Sequence, residues 1–177
     1  YNLAFGTYAL GMTDPIRDPN VLINWPINTP ARGEVMLERP LYHNLMKHDE
    51  YFARYHAYFD QLLTEYFESG RYEAAIRQTQ ALIAPYVEAD PTAFCSYEDH
   101  QLAVDTLLAV CRLRSESVRG QLEGIYPSTL AQQAEHPGAG VDASHVDLRA
   151  LGDFEDLERT KERQDAAAAM AERRSKR

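Results

Sequence analysis

The chain has 177 residues, 45% of them hydrophobic, which suits one globular core of ordinary size and does not force two domains. Its formal charge of −9 is concentrated in the middle: residues 1–38 carry four acids and two bases, 39–152 sixteen and nine, and 153–177 seven and seven. An acidic surface without a basic stripe argues against nucleic acid as a partner, and no apolar run approaches the roughly 20 residues of a membrane span.

The chain opens on Tyr1 rather than Met, with no basic stretch leading into an apolar run, and so reads as a fragment. Residues 1–38 are rich in Pro, Gly, Asn and Thr, and Asp14-Pro15, Asp18-Pro19, Trp25-Pro26 and Thr29-Pro30 each disfavour helix before the proline. This predicts a loop-rich segment packed over a body, since Trp25 and its aliphatic neighbours are unusual in a disordered tail. Val21-Leu22-Ile23 and Val35-Met36-Leu37 are candidates for brief strands.

From Arg39 the pattern becomes helical. Pro40 suits a first turn, and a short helix is expected through about Lys47. A longer one starts near Asp49, with Tyr51/Phe52, Tyr55, Tyr58/Phe59, Leu62/Leu63 and Tyr66/Phe67 at three-to-four spacing. Gly70 stops it. Tyr72, Ala75/Ile76, Thr79, Leu82/Ile83 and Tyr86/Val87 continue the period, Pro85 is expected to bend that helix, and Asp90-Pro91 ends it. Ser96 and Asp99 have capping-box spacing before a long helix, apolar on most of its circumference from Leu102 to Leu122, that is expected to be central.

Beyond Gly124 the chain loosens through Pro127, Pro137, Gly138 and Gly140. Residues 153–177 are charge-balanced with few apolar anchors, which predicts a solvated helix or a disordered tail. The organisation expected is therefore a loop-rich segment over 1–38, a helical core over 39–128, and a linker with a charged tail over 129–177. Cys95 and Cys111 are sixteen residues apart. On a helix that is ~20 Å at about 1.5 Å per residue, too far for a disulfide, so two buried thiols are expected.

Several stretches, taken in order, carry a resemblance. They are Tyr1-Asn2-Leu3-Ala4-Phe5-Gly6; Arg39-Pro40-Leu41; Tyr86-Val87-Glu88-Ala89-Asp90-Pro91; and Arg114-Ser115-Glu116-Ser117-Val118-Arg119-Gly120-Gln121-Leu122. Over about residues 1–128 the chain resembles the C-terminal half of the CotH family of spore coat protein kinases. The resemblance implies a mainly α fold, the helical C-lobe of a kinase-like domain behind an irregular N-terminal segment. It implies a parent enzyme that transfers the γ-phosphoryl of ATP, with Mg, to protein hydroxyls in the spore coat or cell envelope.

By the same resemblance, the metal-binding aspartate immediately precedes Tyr1, and the catalytic aspartate and ATP-binding lobe lie further upstream. The fragment is then expected to be inactive alone, to hold no catalytic residue and to bind no cofactor tightly. Its partners would be the missing N-terminal lobe and a protein substrate. Asn2 would be the polar residue nearest the metal, touching it or its water shell, or else a turn-capping asparagine. Phe5 and Gly6 would shape the loop beneath the nucleotide.

Other residues have competing readings. His43, His48 and His56 invite a metal site, but spacings of five and eight do not put them on one helical face. The aromatic stripe from Tyr51 to Phe67 reads first as core with tyrosine hydroxyls at the rim, and alternatively as the face of a non-catalytic helical interaction module. Arg114 and Arg119 suit phosphate. Five apart on one helix they diverge, which favours structural roles as ion pairs to Glu116, Glu123 or the acidic middle, or as caps on loop carbonyls. No phosphate loop, nucleophile elbow or zinc motif is present.

Overall fold

A computed structural model describes residues 18–30 and 40–152. The expected strand at Val35-Met36-Leu37 and the charged tail after residue 152 lie outside them. The described residues are mainly α-helical and contain no strand.

The first element is a single helical turn, α1 (Pro19–Ile23), where a brief strand was expected. Asp18 caps it, accepting the Asn20 amide at 2.9 Å, and Pro19 takes the first helical position, where a missing amide costs nothing. The side chain of Ile23, at its end, is fully buried.

Helix α2 (Pro40–Met46) leads into α3 (Asp49–Leu62), which begins with Asp49 and Glu50 at the positive end of its dipole. The same helical rod continues as a π-helical stretch, Leu63–Glu68, and breaks at Gly70, whose φ of 75° admits a residue without Cβ most readily. Helix α4 (Arg71–Ala89) contains Pro85 within its span and ends at Asp90.

Helix α5 (Tyr97–Leu122) is the longest element, and its predicted capping box is present: Asp99 N donates to Ser96 Oγ at 3.0 Å, and Ser96 N donates to Asp99 Oδ2 at 3.2 Å. At its other end Gly124 takes a φ of 73°, and the amides of Ile125 and Gly124 return to the carbonyls of Gly120 and Gln121. The Tyr126 ring then folds back over Gly120, where an added Cβ would stand 2.3 Å from it. Helix α6 (Leu130–Glu135) and a 3-10 turn (Leu148–Leu151) complete the order.

Two apolar clusters lie along α5. Ile27, Leu63 and Val118 form one, with Phe59, Phe67 and Leu122 against it. The other joins Val110 and Leu113 to Ile23 and to Val141, Ala143, Val146 and Leu148. Residues 129–152, read from sequence as the start of a linker, thus contribute four side chains to the core. Gly and Pro signal irregular backbone there, but the alternation of buried Val141, Ala143, Val146 and Leu148 with polar residues packs an irregular strap as well as it would a strand.

The aromatic stripe is only partly core. Leu63 is buried and Phe59 and Phe67 pack beside it, whereas Tyr51, Tyr58, Leu62 and Tyr66 are exposed. One row of a helix can face a single packed neighbour, and α3 carries two apolar rows. Cys95 and Cys111 are free thiols, half-buried rather than fully buried. Among the described residues no helix is long and apolar enough to cross a membrane.

Leu148→Ala is expected to lower the free energy of unfolding by about 2–5 kcal/mol in urea titrations, as for a well-packed core leucine. The same change in a solvated linker would fall within about 0.5 kcal/mol of zero.

Candidate functional site

Between α1 and Pro30 the chain runs as irregular backbone pressed against α5, and a buried irregular segment must find side-chain partners for its carbonyls. Helix α5 presents Arg114, Ser117 and Gln121, at i, i+3 and i+7, along one face. Arg114 Nη1 donates to the carbonyls of Ile23 at 2.8 Å and Trp25 at 2.6 Å. Gln121 works in both directions, Oε1 accepting the Ile27 amide at 2.9 Å and Nε2 donating to the Trp25 carbonyl and to Ser117 Oγ. Ser117 and Gln121 are nearly inaccessible to solvent.

Ser117 Oγ donates to Asn24 Oδ1 at 2.9 Å, and the Asn24 side chain in turn pairs with the backbone of Val141, accepting its amide and donating to its carbonyl, each at 2.9 Å. Gln133 Nε2 reaches the Asn24 carbonyl, and Asn20 Oδ1 accepts the Ala143 amide. Further along, Tyr55 OH donates to the Ile27 carbonyl at 2.6 Å, and His56 Nε2 lies 2.7 Å from Asn28 Oδ1. Asn28 holds Ser128 through its side chain and its backbone amide. Segment 18–30 is thereby gripped by α5, α3 and the 128–143 strap.

Burial sets the electrostatics. It pushes the Tyr55 phenol up to about 12, with Tyr42 adding to the effect and the charge of Arg114 opposing it. It lowers Arg114 to about 10, which leaves the guanidinium charged at neutral pH. His56 is also lowered by burial.

A cleft of about 550 Å³ opens beside the clamped segment, with Asp18, Asn20, Trp25, Gln133, His136 and Asp142 among its walls. Asp18 and Asp142 each accept a neighbouring backbone amide through Oδ1. Among the described residues no Lys or Arg lines the cleft, so anionic ligands such as phosphate find no guanidinium or ammonium there.

The structural reading of the two arginines holds. Arg114 caps loop carbonyls, while Arg119 turns the other way and pairs with Asp60 and Glu68 of the acidic middle, rather than with Glu116 or Glu123. Of the three histidines, His56 joins the Asn28 contact and His48 meets the Tyr51 ring edge-on. Among the described residues no three His, Cys, Asp or Glu side chains are grouped to hold a metal ion. Asn2, Phe5 and Gly6, the expected nucleotide and metal contacts, lie outside the described residues.

Sequence reasoning passed over Ser117, Gln121, Asn24 and Tyr55. A signal existed for the first two: polar residues at i, i+3 and i+7 on a helix that must be mostly buried imply a buried polar partner.

Arg114→Met is expected to cost about 2–3 kcal/mol, because it leaves the Ile23 carbonyl without a donor. Arg114→Lys, one atom shorter but still carrying the protons, should recover part of that in denaturation experiments. Tyr55 yields a pH test. A phenol that ionises near 10 when unfolded and near 12 when folded stabilises the fold below pH 10, and the contribution is lost as pH rises from 10 to 12. The unfolding midpoint is expected to fall across that window, and less steeply in Tyr55→Phe.

The model of the protein family described as CotH kinase protein matches residues 2–118. No curated protein and no solved structure matches the chain.

Proposed function

The chain belongs to the CotH kinase family, and on that premise we propose that it is the helical portion of an atypical protein kinase that transfers the γ-phosphoryl group of ATP to protein hydroxyls. The observation that carries the reading is the match over residues 2–118, which takes in the 18–30 segment, α2 to α4 and the α5 residues Arg114 and Ser117 that hold the segment.

In this reading ATP and Mg belong to the complete enzyme, and Asn2, Phe5 and Gly6 shape the loop at its metal and nucleotide. Such transfer requires carboxylates that hold metal and one that orients the attacking hydroxyl. The described residues offer no grouped set of metal donors, so no chemical step is assigned to them. Their part is mechanical: the donors of Arg114, Gln121, Gln133 and Tyr55 fix the backbone that follows the proposed nucleotide loop. A fixed support matters because displacements of about 1 Å far from the reacting atoms can cost two orders of magnitude in rate.

The exposure of Tyr51 and Tyr58 favours a second reading, a non-catalytic helical module that grips another protein. Full-length parent protein given Mg-ATP labelled at the γ-phosphate is expected to transfer label to protein hydroxyls under the first reading. A folded parent that transfers none, yet binds a protein partner only while Tyr51 and Tyr58 are intact, would establish the second.

A further inference from the structure

Between Glu73 and Leu107 no side chain is buried, although this half of the α4–α5 hairpin carries several large apolar residues. The ion pair of Arg77 with Asp105, at 2.8 Å, sets the two helices side by side, and the turn at residues 90–96 lies about 12–18 Å beyond it along the helices. Ala75, Thr79, Leu82, Ile83 and Tyr86 fall on one face of α4 by their three- and four-residue spacing. That face is open to solvent, Leu82 being 71% and Tyr86 75% exposed. Large apolar side chains without a core of their own mark a surface that something else covers.

The charge around the face narrows the choice of cover. From Gln78 to Cys111 the chain has Glu88, Asp90, Glu98, Asp99 and Asp105 and no Lys or Arg. Asp105 is matched by Arg77, and among the described residues no Lys or Arg pairs with the other four. All four sit at the turn end of the hairpin, where α4 finishes and α5 begins. Glu88 stands in the last turn of α4, which holds no base, at the negative end of the helix dipole. The apolar row of α4 therefore runs into a cluster of carboxylates, and an isologous contact with a second copy would set that cluster against itself.

Residues 166–177, outside the described part of the chain, carry the complement in the same order: Ala166 to Ala169, Met170 and Ala171, then Arg173, Arg174, Lys176 and Arg177. We propose that this stretch seats on the α4–α5 hairpin of its own chain, its apolar half along Leu82 and Tyr86 and its four bases on the four carboxylates. The reach is sufficient. The described backbone ends at Gly152, just after a turn whose Leu148 packs with Val110 of α5, at the core end of the hairpin. Residues 153–165 can span about 40 Å when extended, against ~20 Å along α5 from Val110 back to Tyr97. Because the stretch is tethered, its effective concentration is on the order of mM, and a contact too weak to hold a free peptide is enough.

The test uses the whole chain. A water-soluble carbodiimide joins an ammonium to a carboxylate in direct contact, and Lys176 is one of three lysines, with Lys47 and Lys161. At low salt a proteolytic digest is expected to contain Lys176 coupled to Glu88, Asp90, Glu98 or Asp99, with a yield that falls at high salt as exposed charges are screened. Chains grown on ¹⁴N and ¹⁵N and mixed before coupling identify the owner of the hairpin, since same-isotope pairs alone place the stretch on its own chain. Mixed-isotope pairs overturn the proposal, as does Lys176 coupling that is absent from the four carboxylates. A variant carrying Arg173→Glu, Arg174→Glu, Lys176→Glu and Arg177→Glu supplies the second reading. Its amide hydrogen exchange over residues 79–89 is expected to run about fivefold faster than in the unaltered chain, the scale of four exposed ion pairs. An unchanged rate also overturns the proposal.

Discussion

One nitrogen of Arg114 bridges the carbonyls of Ile23 and Trp25, and much of the structure is arranged so that this bridge can form. Burying a guanidinium is unfavourable unless its protons are used, and burying irregular backbone is unfavourable unless its carbonyls are matched. Each deficit answers the other. The carbonyls between and beyond are matched by Gln133 at Asn24 and Tyr55 at Ile27, so the 18–30 segment lies against the body without a ladder of its own. Pro26 has no amide to satisfy, and its side chain is fully buried at the centre of this arrangement.

That arrangement also decides where the chain after α5 must go. The side chain of Asn24 imitates a backbone pair for Val141, and Asn20 does the same more simply for Ala143. These bonds join residues more than a hundred positions apart and bring Val141, Ala143, Val146 and Leu148 down onto Ile23, Val110 and Leu113. Gly140 has to be small and unusual in φ because Asn24 occupies the place of its side chain, at 2.4 Å from where a Cβ would stand. Polar matching sets the path of the strap, and apolar burial then supplies most of the stabilisation along it.

The helices were legible because their signals are local: a capping box at Ser96 and Asp99, a stop at Gly70, and a repeating apolar period. The strap was illegible because its partners are remote. Nothing near Val141 announces Asn24, and the short proline-and-glycine spacing there reads the same whether the segment is packed or free. Periodicity also misled over Tyr51 to Phe67, since it places apolar residues on a helix without saying which of two adjacent rows meets the neighbour. The neighbours that cover one of those rows, Ile27 and Val118, are remote in sequence. Of the site, a structural role for Arg114 and Arg119 was readable from the divergence of two arginines five apart, while which of them would cap carbonyls, and which carbonyls, was not.

Helix α5 leaves little freedom to the stretch from Arg114 to Leu122. Arg114, Ser117 and Gln121 face the 18–30 segment, Arg119 faces the polar row of α3, Val118 and Leu122 face the apolar row, and Gly120 admits the Tyr126 ring. Each position answers to a different neighbour, so no single property such as hydrophobicity or charge describes the run. A stretch under that many separate demands is recognisable as an ordered string of residues, whereas a stripe under one demand is recognisable only as a period. The family match takes in the first five of these nine residues, Arg114 to Val118. The string itself reports on the scaffold. The proposed metal and nucleotide contacts, Asn2, Phe5 and Gly6, are other residues, as are the carboxylates that the proposed mechanism requires.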